Sequence, residues 1–360
     1  MKYTITKENA NNLANWYLKN KRQLPWRDTN NPYDVWISEI MLQQTRIEAV
    51  KPKYEKFKNE LPDITALANC DDDHLMYLWE GLGYYSRARN LKKCAIVLVN
   101  EYNAKLPQDY NTLLKLPGIG PYTAGAIASI AYGIPAPAVD GNVMRVVARL
   151  LEIRKDVRDA NFRKEIEEAI MQVFSNTNDK QFIQTFNQGL MELGEVICIP
   201  KGQIKCNICP WSETCYAHKN NTTDQIPYRS PLAKRKIIQK TLLIIRDGDL
   251  FLIHKRPSTG LLAGLYEFIG IDKILHSKEI IQLLENNHIH PLHIKKLPDA
   301  KHIFTHLEWH MQAYEIQIAQ IETFHHEDYM LLDKKDLATR AIPSAFKTYV
   351  DYYTLRDITK

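Results

Sequence analysis

Through the first two thirds of the chain, apolar positions recur at helical spacing between short breaker sequences. The pattern predicts helices over residues 36–57, 72–79, 87–102, 122–131, 142–151, 162–174 and 182–193. Breakers stand at 61–63, 81–83, 116–121 and 133–137. Pro52, inside the first span, predicts a kink or a boundary there. The pattern changes after about residue 220. Residues 221–235 are polar and Pro-containing, with Arg229, Lys234 and Arg235 at the basic end that continues to Lys236 and Lys240, and read as a linker. Residues 241–256 then read as two short apolar strands joined by Asp247-Gly248. Residues 303–313 alternate Ile303, Thr305, Leu307, Trp309, Met311 and Ala313 along one strand face. The expected fold is multidomain: an all-α region over residues 1–220 and an α+β domain over 236–360.

A chain of 360 residues has room for two domains, and 45% hydrophobic with 25% charged residues is an ordinary globular balance. The most apolar stretch, 124–139, is interrupted by Gly133, Pro135 and Pro137, so no membrane span is expected. The first residues lack the apolar core of a signal peptide, so a cytoplasmic location is expected, nucleoid-associated if the source is bacterial. A net charge of +5 permits nucleic-acid binding without arguing for it.

Local chemistry adds more. Four of the six cysteines follow the spacing Cys198-x7-Cys206-x2-Cys209-x5-Cys215. Packed core cysteines fit poorly beside Pro200, Lys201, Gly202, Lys205 and Pro210. Four thiolates in one loop can wrap a metal centre. Zinc ribbons use two close pairs, whereas one C-x-x-C flanked by single cysteines suits a [4Fe–4S] cluster better. The segment Leu116-Pro117-Gly118-Ile119-Gly120-Pro121-Tyr122 joins two helical spans, and Gly118 and Gly120 allow a tight hairpin with bare backbone N–H groups. Such a helix-hairpin-helix can hold DNA phosphates without reading sequence, though ordinary Gly-Pro turns look the same. Asp140 precedes a helix and suits an N-cap, and a carboxylate there is expected to stay ionised and to favour a positive transition state. Glu39 lies beside Ile40, Met41 and Leu42, where burial would raise its pKa. Taken alone, it reads better as a solvated helix-face residue.

Taken jointly, VWISEIMLQQT, WEGLGYYSRARNL, LPGIGPYTAGAIASIAYG and AVDGNVMRV, followed by the four cysteines, resemble the adenine DNA glycosylases of the MutY type. These belong to the helix-hairpin-helix, endonuclease III-like superfamily. The resemblance runs from about Leu24 to Cys215, with a weaker continuation in STGLLAGLYEF and HIFTHLEWHM. It implies an enzyme that flips adenine, mispaired with 8-oxoguanine or guanine, out of duplex DNA and hydrolyses its glycosidic bond. It also implies a [4Fe–4S] cluster on Cys198, Cys206, Cys209 and Cys215, and a monomer acting on double-stranded DNA.

The same resemblance implies a role for each matching residue. Glu39 is the general acid that protonates the adenine ring, and Asp140 stabilises the oxocarbenium-like sugar, a two-carboxylate division of labour. Tyr122 and Asn142 orient this machinery. Trp26, Arg27, Leu42 and Gln188 line the adenine pocket, although Gln188 by itself reads as a polar helix position. Gln44 and Tyr84 wedge into the duplex, while Thr45 and Leu82 contact 8-oxoguanine. Either Tyr84 or Tyr85 is otherwise a core aromatic.

Superfamily members that cleave the strand carry lysine where this chain has Tyr122, and tyrosine forms no Schiff base, so a monofunctional glycosylase is expected. The C-terminal domain resembles a Nudix fold without the REx2E pattern after Gly270, so diphosphatase activity is not expected. Phe304-Thr305-His306 matches the family's lesion-inspecting loop, where threonine replaces the usual serine and keeps the hydroxyl. His302, His306 and His310 recur every fourth residue but lie in a strand-like run, so a metal site there is not expected. The chain departs from the family in its first cysteine gap, seven residues against the usual six, and in Met144 at a variable position. An endonuclease III-like lyase acting on oxidised pyrimidines, a non-catalytic DNA-binding protein and a Nudix pyrophosphatase are the competing readings.

Overall fold

The computed structural model describes residues 3–27, 29–231, 234–319 and 328–354. The chain forms two compact units. The first comprises residues 1–70 and 89–231, the second residues 71–88 and 232–360. The division in the chain after residue 231 falls inside the expected linker. Residues 71–88, expected within the helical region, belong instead to the second unit.

The first unit is helical around one apolar core that includes Leu13, Val143, Val146, Phe162, Phe186 and Leu190. Helix starts are set by short polar side chains. Asp63, Asp109, Asp140, Asp159 and Asp179 each accept a bond from a backbone N–H in the first turn, satisfying donors that the helix cannot. Helices Gly141–Leu151, Ala160–Phe174 and Lys180–Val196 lie where periodicity placed them. An additional helix, Lys7–Asn20, packs on Lys180–Val196, and Gly189 permits the close approach because a Cβ there would stand 3.1 Å from Leu13.

Two local expectations are corrected. The span 36–57 is two helices, Pro32–Leu42 and Ile47–Glu60, broken at Gln44 in the left-handed region (φ 57°), while Pro52 sits inside the second helix. The expected linker is not free up to residue 231. Ile226 is buried, Ser230 N–H donates to Asp156, and Arg149 Nε donates to the Ile226 carbonyl. Helix Pro121–Ala126 runs into a π-helical turn, Ile127–Ala131, and Gly125 lies against the 133–137 breaker.

The second unit holds a seven-stranded mixed sheet. Its strands are β1 (Lys236–Asp247), β2 (Leu250–Lys255), β3 (Tyr266–Glu267), β4 (Ile269–Ile271), β5 (Pro291–Ile303), β6 (Leu307–Ile318) and β7 (Tyr329–Leu332). The order is β3-β2-β1-β6-β5, with β4 on β1 and β7 on β2. The β1–β2 hairpin turns at Gly248 (φ 55°), as Asp247-Gly248 predicts. β1 and β6 run parallel in the centre. Successive residues of β1 enter opposite cores, Leu242 and Ile244 one, Leu243 and Ile245 the other, so both sheet faces are covered. Lys240, read as part of the basic stretch, is buried, paired with Asp272 and 4.6 Å from the Trp309 ring centroid.

The run 303–313 is not one strand. β5 ends at Ile303 and β6 begins at Leu307, with Phe304-Thr305-His306 forming the turn, closed by Phe304 N–H donating to the Leu307 carbonyl at 2.9 Å. Alternation holds from Leu307 onward, where Leu307, Trp309, Met311 and Ala313 share one core.

Gly125 offers a direct test of this packing. A Cβ at that position would stand 2.2 Å from the Pro137 carbonyl oxygen, which is backbone and cannot swing away. Gly125→Ala is expected to cost about 3 kcal/mol of unfolding free energy, measured by urea titration.

Candidate active site

A cavity of about 370 Å³ opens in the first unit. Ten of the predicted residues line it: Trp26, Arg27, Glu39, Leu42, Gln44, Thr45, Tyr122, Asp140, Asn142 and Gln188. They come from five places in the sequence, and their meeting is a product of the helical packing.

Glu39 lies in the last turn of Pro32–Leu42, 7% exposed, and accepts a hydrogen bond from the Tyr122 hydroxyl. Burial raises its pKa to about 7. The Tyr122 bond opposes the rise, the charge of Asp140 adds to it, and Arg27 opposes it. The solvated alternative for Glu39 is thereby removed. Tyr122 is itself held well above its ordinary pKa, first by burial and then by Glu39, so it remains a donor.

Asp140 caps Gly141–Leu151, accepting the Val143 N–H at 2.8 Å. Its pKa is raised by burial, against the pull of the Val143 and Asn142 amides and of Arg145. The cap alone predicted a carboxylate held firmly ionised; desolvation works the other way. Asn142 donates to Glu195 at 2.7 Å and accepts from Arg145 at 2.8 Å, which fixes both ends of its amide. Gly194 makes room, since a Cβ there would meet the Asn142 Cβ at 2.8 Å.

Trp26 is buried edge-on to Tyr54, with ring centroids 5.3 Å apart. Arg27 donates to Glu192 at 2.5 Å, and Gln188 accepts from the Tyr17 hydroxyl at 2.8 Å. Outside this cavity, Gly118 (φ 74°) needs its missing side chain twice over, for its backbone and because a Cβ would lie 2.6 Å from Asn90. A Cβ on Gly120 would meet nothing within 4 Å, so that face of the hairpin is open.

The four cysteines line a separate cavity of about 20 Å³. All four thiols are free of disulfides, and Arg149 Nη1 donates to Cys198 Sγ at 3.3 Å. Burial pushes up the thiols of Cys206, Cys209 and Cys215, the second to about 12 and the third to about 11. Within the first gap Gly202 is left-handed (φ 93°), and Lys205 N–H returns to the Ile197 carbonyl. Among the described residues no group of three or more His, Cys, Asp or Glu stands arranged to hold a metal ion. Cys70 and Cys94 are buried elsewhere.

In the second unit, Tyr84 is 48% exposed and Tyr85 is 8% exposed, which settles which tyrosine is the core aromatic. Tyr84 is left-handed (φ 47°), and its hydroxyl lies 2.9 Å from Thr305 Oγ1. Leu82 is buried, and its carbonyl accepts from Arg87 at 2.7 Å. Thr305 and His306 are exposed at the β5–β6 turn, while Phe304 packs edge-on to Trp309. His310 pairs with Glu308.

Residues 37–174 match the HhH-GPD superfamily of base excision DNA repair proteins, and 241–352 match the NUDIX domain. The chain is 35% identical over 316 residues to the adenine DNA glycosylase of Buchnera aphidicola subsp. Baizongia pistaciae, covering 87% of each chain. The chain belongs to the adenine DNA glycosylases. The mouse (Mus musculus) adenine DNA glycosylase is 30% identical over 370 residues, 86% of this chain and 70% of that one. Among solved structures, a thermostable thymine-DNA glycosylase aligns with TM-score 0.52 at 28% identity, covering 59% of this chain and 95% of that one. Endonuclease III in a non-covalent DNA complex aligns at TM-score 0.50 and 24% identity, over 61% of this chain and 99% of that one, a likeness of fold.

Other residues of this adenine glycosylase family member escaped sequence reasoning. Glu192, fully buried, accepts three bonds from Arg22, one of them from its backbone N–H, and a fourth from Arg27. Burial alone would raise its pKa; the two arginines hold it below the ordinary value. Arg145 and Arg149 are buried on Gly141–Leu151 and reach the Cys198 carbonyl and sulfur. Arginines within an apolar helix face were the available signal.

The raised Glu39 pKa has a stability consequence. Its folded value, about 7, lies above the ordinary 4.5, so the protonated form favours folding and that contribution is lost as pH rises from 4.5 through 7. Glu39→Gln is therefore expected to be more stable than wild type by about 3 kcal/mol at pH 8 and no more stable at pH 4.5. Denaturant titrations at the two pH values measure the difference.

Proposed function

We propose that this chain hydrolyses the glycosidic bond of adenine mispaired with 8-oxoguanine, or with guanine, in double-stranded DNA. The observation that carries the reading is Glu39: a buried carboxyl with a pKa near neutrality, bonded to Tyr122, in one cavity with Asp140. At pH 7 about half of such a group holds a proton to give. Glu39 protonates the ring nitrogen of a flipped adenine, making the base a better leaving group. Asp140, lining the same cavity, stabilises the positive sugar, by charge or by transient bonding, before water completes hydrolysis. Trp26 supplies an aromatic wall, and Gln188 an amide for the adenine edge.

Tyr122 supports a monofunctional enzyme, because a phenol has no amine with which to form a Schiff base with the sugar. Gln44 and Tyr84, both exposed and left-handed, suit wedges that occupy the space of a flipped base. Thr45, Leu82 and the Phe304-Thr305-His306 turn are assigned to the opposite base. The open face at Gly120 suits a DNA phosphate, and Lys201 and Lys205 add salt-dependent attraction. The four cysteines fit a [4Fe–4S] cluster: free thiols around one cavity, desolvated enough to need compensating positive charge, with Arg149 already donating to one sulfur. When bound, the cluster supplies a cross-link over residues 198–215. The chain acts as a monomer in the cytoplasm or nucleoid, and among the described residues no helix is long and apolar enough to cross a membrane.

The assay uses duplexes carrying adenine opposite 8-oxoguanine, adenine opposite guanine, or thymine glycol. Alkali-dependent breaks at adenine are expected, with none before alkali. Failure at adenine opposite 8-oxoguanine overturns the proposal, and breaks at thymine glycol support the lyase alternative. The single-turnover rate is expected to level off below pH 7 and to fall about tenfold per unit well above it, as Glu39 loses its proton. A rate unchanged from pH 6 to 9 removes Glu39 as the acid.

A further inference from the structure

Residues 71–88 join the second unit although the rest of that unit begins far downstream in the chain. Asp73 makes the junction. Its carboxylate accepts the Tyr266 hydroxyl at 3.0 and 3.2 Å and Arg340 Nη1 at 2.8 Å, with Lys255 Nζ at 3.5 Å. Lys255 and Arg340 also stand over the Tyr266 ring, 5.1 and 5.5 Å from its centroid. One side chain thus gathers donors from the end of β2, the start of β3 and the residue after helix Lys334–Thr339.

The segment between Asp73 and Tyr84 is short and braced. Helix Asp72–Leu78 leads into a turn with left-handed Gly81, Gly83 and Tyr84. Trp79 Nε1 donates to the Gly83 carbonyl at 3.1 Å, and Arg87 donates to the Leu82 and Gly83 carbonyls at 2.7 and 3.0 Å. The Arg87 guanidinium also faces the Trp79 and Tyr84 rings. A non-glycine residue in the left-handed region persists where its surroundings over-determine it. Its reward is the placement of the Tyr84 hydroxyl 2.9 Å from Thr305.

We propose that Asp73 is a positioning residue for reading the base opposite adenine: by holding Lys255, Tyr266 and Arg340 it assembles Tyr84 and the Thr305 turn into one preformed surface. Hydroxyl pairing tolerates little displacement, so loosening Asp73 separates the two halves of that surface without touching Glu39 chemistry. Asp73 is more than one third exposed, where an ion pair adds little to stability, so geometry is its main contribution. The inference rests on the lesion-reading assignment of Tyr84 and Thr305.

The test compares single-turnover excision opposite 8-oxoguanine and opposite guanine for the full chain, Asp73→Ala, Asp73→Asn and Tyr266→Phe. Asp73→Ala is expected to lose about tenfold of the preference for 8-oxoguanine, with excision opposite guanine within about threefold of wild type. Asp73→Asn, which keeps one acceptor oxygen and loses the charge, should fall between. Combining Asp73→Ala with Thr305→Val should cost less preference than the sum of the two, since both act on one surface. Unchanged preference in all three variants overturns the proposal, as does an equal loss on both substrates with a lowered melting temperature. Wild type with no preference overturns the lesion-reading assignment itself and this inference with it, a result visible before any variant is made.

Discussion

Much of the first unit hangs on the helix Gly141–Leu151. Its N-terminal side carries Asp140 and Asn142, which line the cavity of the candidate active site. Its middle carries Arg145 and Arg149, both buried and both bonded to the start of the cysteine loop. A buried guanidinium left without partners is costly, so these bonds fix the loop to the helix rather than merely decorate it. The same Arg145 that holds the Cys198 carbonyl holds the Asn142 amide oxygen. The Asp140 cap and the cysteine loop are therefore registered against one rigid element, with Gly194 allowing the facing helix to come close.

Two buried carboxylates in the same cavity meet opposite fates. Glu39 has one neutral donor, Tyr122, and a like charge nearby, so desolvation prevails and it holds a proton near neutrality. Glu192 has two guanidinium partners, so pairing prevails and it stays ionised. The second arrangement anchors Arg27 at the pocket wall, and the first leaves a carboxyl that can hold a proton near neutrality. What separates them is the charge of the neighbour, not the depth of burial. Asp140 lies between these cases, with backbone amides partly offsetting its desolvation.

Much of this was legible in the order of residues. Helical periodicity located the main helices because each buries one stripe, and Asp caps marked their starts. Asp247-Gly248 marked its hairpin because few residues accept that turn. Errors arose where local pattern was ambiguous. Gln44 ends a helix with no glycine or proline to announce it. Ile303 and Thr305 continue an alternation that the chain abandons for a turn, since a tight turn can keep the parity of two flanking strands. Lys240 looked like surface charge and is buried on Trp309.

By itself the sequence determined the family, the two-part architecture, the cysteine spacing and which residue types were available for acid, cap and wedge. These are properties of local propensity and of motif. Tertiary structure alone decided which tyrosine is exposed, which glutamate keeps a proton and which takes arginines. It also decided that residues 71–88 pack with a sheet formed far downstream. Those outcomes depend on desolvation and on partners brought together across 83 to 267 positions of chain, from Glu39 with Tyr122 to Asp73 with Arg340. No spacing along the chain encodes such distances, because the energies involved fall off within a few ångströms in space.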